Sequence, residues 1–284
     1  MALILCLLVV IFSFQSLFCR LYTSARGGRG AIQFAVGYAA IVGVSTLAWN
    51  GFVYRPSGAT LLLGLINAVM ILLFNLSMVR AGNLGSYAFM MVCMLSGGIL
   101  LPMAYDMFYG RLDAMAIFGV IIMLAAFIIM NLGGIRGEKS GKYLAWCALL
   151  FVVNGFYAIL MHLQQTIMAG AQREEMIITT FLGMAIATSA FELAVRKNTF
   201  LEGFRMSGRA FTFFLLSSIS ATVAVNLLLY AIGRMNLTAL NAVNNGGVLA
   251  LSAVYAFVLF KEKPTPPMVV GLMLACASIV MLSL

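Results

Sequence analysis

The chain is a succession of apolar segments, each about as long as a membrane-spanning helix, joined by short polar stretches. A helix needs about 20 mostly apolar residues to cross the hydrocarbon core of a bilayer. Only 9% of the 284 residues are charged, whereas soluble domains carry roughly 25%. The sequence therefore predicts an all-α integral membrane protein with about ten transmembrane helices. The ten segments lie at 2–20, 31–53, 58–79, 84–108, 112–131, 142–162, 175–194, 211–233, 237–260 and 267–284.

A weak internal repeat divides the chain into two five-helix halves, 1–135 and 136–284. The third segment follows Arg-Pro-Ser-Gly at 55–58, and the eighth follows Arg-Met-Ser-Gly at 205–208. Further matches in the same order indicate that the halves are related. Because five is an odd number, the second half is expected to lie inverted in the membrane, as in many secondary transporters. The further matches are Asn75 with Asn226, 80–84 with 234–237, and Arg111–Gly119 with Lys263–Gly271.

The distribution of lysine and arginine predicts an orientation. The stretches after odd-numbered segments hold 13 of the 17 basic residues, and those after even-numbered segments hold 4. Cytoplasmic loops carry the excess of basic residues, so the odd-numbered loops are expected in the cytoplasm and both termini outside. The net charge of +9 is explained by this rule, and we predict no nucleic-acid partner.

The ends of the two halves carry a further pattern, in which a helix leads into a short turn with a basic residue, followed by a helix with an early glycine. The chain resembles the drug/metabolite transporter superfamily, in its EamA-type branch. The resemblance covers the whole chain and implies an inverted-repeat transporter, although that family usually has both termini in the cytoplasm and a glutamate in the turn that the first half lacks. The residues that carry it are Leu101-Pro102-Met103, Gly110-Arg111-Leu112-Asp113 and Gly119, then Lys261-Glu262-Lys263-Pro264-Thr265 and Gly271.

Signatures of catalysis and metal binding are missing from the sequence. There is no HExxH, no G-x-S-x-G and no P-loop, and His162 is the single histidine. The five cysteines form no CxxC pair. Asp106 and Glu192 are the acidic residues closest to a segment centre, and each lies within about a turn of a segment end. We therefore predict neither an enzyme nor a bound metal or cofactor.

Amide side chains within the apolar segments are the strongest candidates for a substrate site. An unpaired amide in hydrocarbon costs roughly 2–7 kcal/mol, so each must face another helix, water or a ligand. Residues four apart share a helix face, which places Asn241 and Asn245 together with Asn244 beside them. Hydrogen bonding between helices is the alternative reading. The predicted site residues are Gln15, Asn67, Asn75, Tyr87, Asn154, Tyr157, Asn226, Asn241, Asn244 and Asn245.

These residues predict a cavity with neutral donors and acceptors. The leading interpretation is a secondary transporter, in the direction of export, for a small neutral or zwitterionic metabolite such as an amino acid. Alternatives are a flippase for a lipid-linked headgroup and a non-transporting membrane scaffold. We expect the protein to span the cell membrane many times, in a prokaryotic inner or plasma membrane. Its partners are expected to be the substrate and membrane lipids. A monomer would suffice and a dimer is compatible.

Overall fold

The described residues of the protein form ten helices. A computed structural model describes residues 2–27, 30–85, 87–109, 114–132, 140–232, 234, 237–259 and 266–283. No strand occurs in these ranges, which confirms the all-α prediction. The helices are α1 Ala2–Arg26, α2 Ala31–Trp49, α3 Gly58–Leu84, α4 Tyr87–Phe108, α5 Ala114–Leu132, α6 Gly141–Ile167, α7 Arg173–Glu202, α8 Gly208–Ile232, α9 Leu237–Val258 and α10 Pro266–Ser283.

The outer surface of the helices is apolar along its length. Leu62 in α3, Ile186 in α7 and Met273 in α10 are each more than 60% exposed, which would be unfavourable in water over so large an area. Within the described residues, seven helices have the length and hydropathy of a membrane span, namely α1, α2, α3, α4, α6, α7 and α8. The chain is a multi-pass membrane protein.

Several helices continue beyond the segments predicted from hydropathy. α1 ends at Arg26 rather than at residue 20, and α7 ends at Glu202 rather than at 194. Helical hydrogen bonding does not stop where apolar residues stop, so these helices extend through basic residues past the hydrocarbon region. The turns at 110–113 and 261–265, on which the family resemblance partly rests, lie outside the described residues, as do repeat positions 235–236.

Helix pairing follows a regular pattern. α1 packs on α8 and α9, while α6 packs on α3 and α4. Adding five to the helix numbers of the first half, or subtracting five from those of the second, converts one set of pairs into the other. α2 packs on α7, and α5 packs on α10. The α2–α7 pair is antiparallel, because Gln33 Nε2 donates to Phe200 O over 3.1 Å while Gly43, later in α2, lies against Leu182, earlier in α7.

The residues of the sequence repeat have matching local roles. Ser57 Oγ accepts from Thr60 N at 3.2 Å at the start of α3, and Ser207 Oγ accepts from Ala210 N at 3.3 Å at the start of α8. Serine is a favoured N-cap because its hydroxyl satisfies one of the free N–H groups of the first turn. Ser57 and Ser207, which are matched in the sequence pattern, thus each cap the first turn of a helix.

α4 and α6 approach each other closely at two glycines. A Cβ atom on Gly97 would overlap the main-chain carbonyl of Phe151, and one on Gly155 would lie 2.5 Å from Gly97 O. Small residues let helix backbones come together, which in a bilayer replaces the hydrophobic effect as the source of association. α4, from the first half, is thereby fixed to α6, from the second.

Replacing Gly97 by alanine should destabilise the protein by about 1–3 kcal/mol or more, because a main-chain atom cannot move away from the new methyl group. The thermal unfolding midpoint is measured in detergent, and fluorescence-detected size-exclusion chromatography monitors the folded protein. Gly58→Ala is the matched control, since a Cβ there meets nothing within 4 Å. An unchanged midpoint for Gly97→Ala would contradict the close approach.

Candidate functional site

A cavity of about 90 Å³ lies between helices of both halves, and we call it the central cavity. It receives side chains from α1, α2, α3, α4, α6, α7, α8 and α9. Six of the ten residues selected from the sequence meet here, although they are dispersed over more than 230 positions. They are Gln15, Asn154, Tyr157, Asn241, Asn244 and Asn245.

One wall of the central cavity is formed where α4, α6 and α9 meet. Asn154 Nδ2 donates to Met94 O at 2.8 Å, and Asn245 Nδ2 lies 3.4 Å from Leu95 O. Both amides approach Gly98, whose absent Cβ would lie 2.5 Å from Asn154 Nδ2 and 2.6 Å from Asn245 Nδ2. Glycine is therefore required at 98 for the two amides to reach the main chain of α4.

The opposite wall combines one hydrogen-bonded pair with aromatic rings. Gln15 Nε2 donates to Tyr38 Oη at 2.9 Å, and the main-chain oxygen of Gln15 accepts from Ser217 Oγ at 3.2 Å. Tyr38 is only 3% exposed and packs on Phe181, with ring centroids 6.0 Å apart. These contacts hold the Gln15 side chain in one position at the cavity surface.

Two polar atoms of lining residues find no partner in the part of the chain that the structure describes. Tyr157 Oη and Asn244 Oδ1 are buried and make no hydrogen bond to any described residue. Buried polar atoms in proteins are nearly always bonded, to protein or to ordered water. A polar ligand or water in the central cavity would satisfy both groups. This distinguishes Asn244 from Asn154, whose amide already bonds between helices.

The charge of the lining restricts what the central cavity can hold. No lysine, arginine, aspartate or glutamate is found among the described residues that line it. A net ionic charge transferred there would lose hydration with no opposite charge to compensate it. Amide and phenol groups instead suit a solute that is neutral, or whose own charges cancel, and the aromatic rings suit an apolar part.

Three of the residues predicted from the sequence do not line the central cavity. Asn75 Nδ2 donates to Ile71 O at 2.9 Å within its own helix. Asn226 Nδ2 donates to Thr222 O at 2.8 Å and to Thr46 Oγ1 at 3.1 Å. Asn67 is fully buried outside the cavity, and neither of its amide atoms bonds to a described residue. The side chain of Tyr87 lies outside what the structure describes.

Tyr38, Ser16 and Gly98 line the central cavity and were missed by the sequence argument. That argument selected amides, so it passed over a tyrosine in the middle of α2 and a serine beside Gln15. A polar side-chain group in the middle of an apolar helix, whether hydroxyl or amide, would have been the signal for Tyr38 and Ser16. Gly98 adjoins Gly97, and a glycine pair in an apolar helix indicates close approach to another element.

A second space, which we call the vestibule, adjoins the central cavity. It has a volume of about 330 Å³ and lies between the ends of α1 and α3 and the beginning of α4. Met78 lines both spaces, Met90 lines the vestibule, and Met94, one turn later in α4, lines the central cavity. Flexible thioether side chains therefore form the boundary between the two spaces.

The opposite end of the protein, where α3 and α7 begin, is closed by a hydrogen-bonded cluster. Gln164 is fully buried, and its Nε2 lies 3.2 Å from Thr60 Oγ1 and 3.1 Å from Gln172 O. Gln172 Oε1 accepts from Ser57 N at 2.8 Å. We call these four residues the glutamine cluster. The two ends thus differ, with amide bonding at one and methionines at the other.

The ionisable residues considered in the sequence lie away from the central cavity. Asp106 and Glu192 are 2% and 8% exposed, near opposite ends of the protein, and neither lines the cavity. His162 packs edge-on against Tyr105, with ring centroids 5.8 Å apart. No group of three metal-ligating residues is found in the described part of the chain.

Comparison with known proteins gives information on the fold alone. No protein-family model and no curated protein matches the sequence. Among solved structures, the chain is similar to one described as "Crystal structure of protein", with a TM-score of 0.69 and 14% identity. The match covers 98% of this chain and 94% of the other. At this identity the likeness concerns the fold alone.

The two asparagines of the cavity wall should respond differently to loss of the amide. Asn154→Leu removes a hydrogen bond between α6 and α4, which should lower stability by about 1 kcal/mol. Asn244→Leu removes an acceptor that has no partner among the described residues, so stability should change by less than about 0.5 kcal/mol. Denaturation in detergent measures both. Equal losses would indicate that Asn244 also serves to hold helices together.

Proposed function

We propose that the protein is a secondary transporter for a small neutral or zwitterionic solute. The central cavity carries this proposal, since it collects uncharged polar groups from both halves, and Tyr157 Oη and Asn244 Oδ1 in its lining have no partner among the described residues. Transporter sites commonly lie where two repeats meet. An amino acid or a related compound has the donors, acceptors and cancelling charges that suit this lining.

The proposed architecture is ten membrane spans arranged as two inverted repeats of the EamA type. Three observations support it. Pairings between helices convert into one another by a shift of five, the repeat-related α2 and α7 run antiparallel, and Ser57 and Ser207 cap equivalent helices. Because each half contributes an odd number of helices, the second half is expected to cross the membrane in the opposite orientation to the first.

The direction of transport is proposed to be export across the cell membrane. The vestibule opens at the end where α1 terminates, which is also the end with most of the basic residues. Basic loops face the cytoplasm. Since Met78 separates this vestibule from the central cavity and the glutamine cluster closes the other end, loading from the cytoplasm requires the smaller rearrangement.

The first test is a thermal-unfolding screen of purified protein against amino acids, nucleosides, sugars, polyamines and lipid headgroups. A ligand at about 100 times its Kd adds roughly 2.7 kcal/mol to stability. We expect a saturable upward shift with a neutral or zwitterionic compound, and uptake or release of that compound by proteoliposomes. A shift restricted to lipid headgroups would favour the flippase, and no shift with any compound would favour the scaffold.

Substitution of cavity amides should remove that response. Asn244→Leu and Asn241→Leu are expected to abolish both the ligand-induced shift and transport, because they replace cavity-lining amides with apolar side chains. Asn75→Leu is the matched control, since its amide bonds only Ile71 O of its own helix among the described residues and lies outside the cavity. Full transport by both cavity variants, or equal loss in the control, would exclude this site.

Gly98→Ala tests the site without removing any polar group. The added methyl would displace the Asn154 and Asn245 amides, which are flexible ends of side chains. We expect folded protein with ligand affinity weakened by about tenfold or more. Gly82→Ala is the control, because its Cβ would make ordinary van der Waals contact at 3.8 Å. Unchanged affinity in Gly98→Ala would show that these amides do not contact the ligand.

A further inference from the structure

A large cleft, separate from the central cavity, lies where α1 ends and α2 begins. It has a volume of about 1030 Å³ and is bounded on its far side by the last turns of α7 and the α7–α8 connection. We call it the basic cleft. Its charged lining residues are Arg26, Arg80, Glu192, Arg196, Glu202 and Arg205.

The charges of the basic cleft do not cancel. Four arginines and two glutamates give the described lining a formal charge of +2. The arginines come from four places in the sequence, namely the end of α1, the end of α3, α7 and the residues before α8. The fold therefore brings together positive groups that repel one another, and a cleft with a net positive charge attracts anions.

Arg26 is the best-defined member of the cleft. Its Nη1 donates to Arg205 O at 2.6 Å and its Nη2 donates to Gly203 O at 2.7 Å, while its Nε is buried with no partner in the described residues. Carbonyl oxygens accept these hydrogen bonds but carry no net charge. The guanidinium is thus held in position with no carboxylate paired to it among the described residues, and an anion would neutralise its charge.

The first turn of α2 adds uncharged donors to the same surface. Residues 30–33 line the basic cleft, and Gly30, the N-cap, provides no side-chain hydrogen bond to the turn. The main-chain N–H groups at the start of a helix have no partner within it and attract anions. The Arg26 guanidinium lies directly beside them, since a Cβ on Gly30 would be 2.6 Å from Arg26 Nη2.

We propose that the basic cleft binds a phosphate group. Converging guanidinium groups and a helix N-terminus are the donors that phosphate oxygens favour, and the volume leaves space for an attached moiety. α7 bends at Arg196, where φ is −140° and ψ is 41°, and the following turns expose Leu201 and Phe204. Phospholipid can therefore reach the cleft from the bilayer as well as a soluble phosphate from water.

The experiment measures unfolding midpoints of the full chain in detergent at constant ionic strength. The probes are inorganic phosphate, with chloride as reference, and short-chain phosphatidylglycerol, with diacylglycerol of the same acyl length, which has no phosphate, as reference. The test variant is Arg80→Gln with Arg196→Gln, which leaves the structural bonds of Arg26 intact. The control variant, Arg55→Gln with Arg209→Gln, removes the same charge from exposed arginines that do not line the cleft.

We expect a saturable upward shift in the wild type, with apparent affinity at least about tenfold weaker in the test variant and nearly unchanged in the control. A response to inorganic phosphate identifies a soluble phosphate compound as ligand, and a response to phosphatidylglycerol alone identifies lipid. Equal shifts by each probe and its reference, or equal weakening in both variants, would overturn the proposal. The test is independent of transport.

Discussion

Hydrogen bonding in a medium without water is the constraint on which this structure depends. Main-chain groups in hydrocarbon must be bonded within the segment, which leaves helices as the form available to these apolar stretches. The same requirement applies to polar side chains. Asn75 meets it within its own helix, and Asn154 and Asn226 also bond to neighbouring helices. Among the buried polar atoms that find no partner in the described residues, Tyr157 Oη and Asn244 Oδ1 line the central cavity, whereas those of Asn67 lie outside it.

The contacts at the two ends of the molecule are made by different types of residue. At the start of α3 and α7, amide side chains bond to main-chain carbonyls and to each other, so opening there requires several bonds to break together. At the other end, Met78 and Met90 bring no hydrogen bond and separate the cavity from the vestibule by packing alone. Charge is likewise uneven, with arginines collected around the ends of α1 and α7.

Sequence patterns predicted the helices well, since each of the ten apolar segments coincides with a helix. Helix ends were predicted less well. Charged residues such as Arg20 and Arg26 mark the end of an apolar segment, but the helix itself continues through them. For the site, the i, i+4 rule correctly placed Asn241 and Asn245 on one face. It could not show that Asn75 would bond to Ile71 O, or that Tyr38 would lie beside Gln15, because both depend on how helices rotate against their neighbours. A role for the cavity residues in binding stays a prediction.

The close contact at Gly97 has a consequence for how such a molecule can move. α4 belongs to the first half of the sequence and α6 to the second, yet their backbones touch, and Gly247 of α9 lies against Val9 of α1 in the related pair. Glycines lie on both sides of the α4–α6 contact, so the two backbones are close there and separate only if the whole helices move apart. A movement that keeps both contacts must therefore carry helices of the two halves together. The proposed repeats follow one another along the chain, whereas these close contacts each join a helix of one half to a helix of the other.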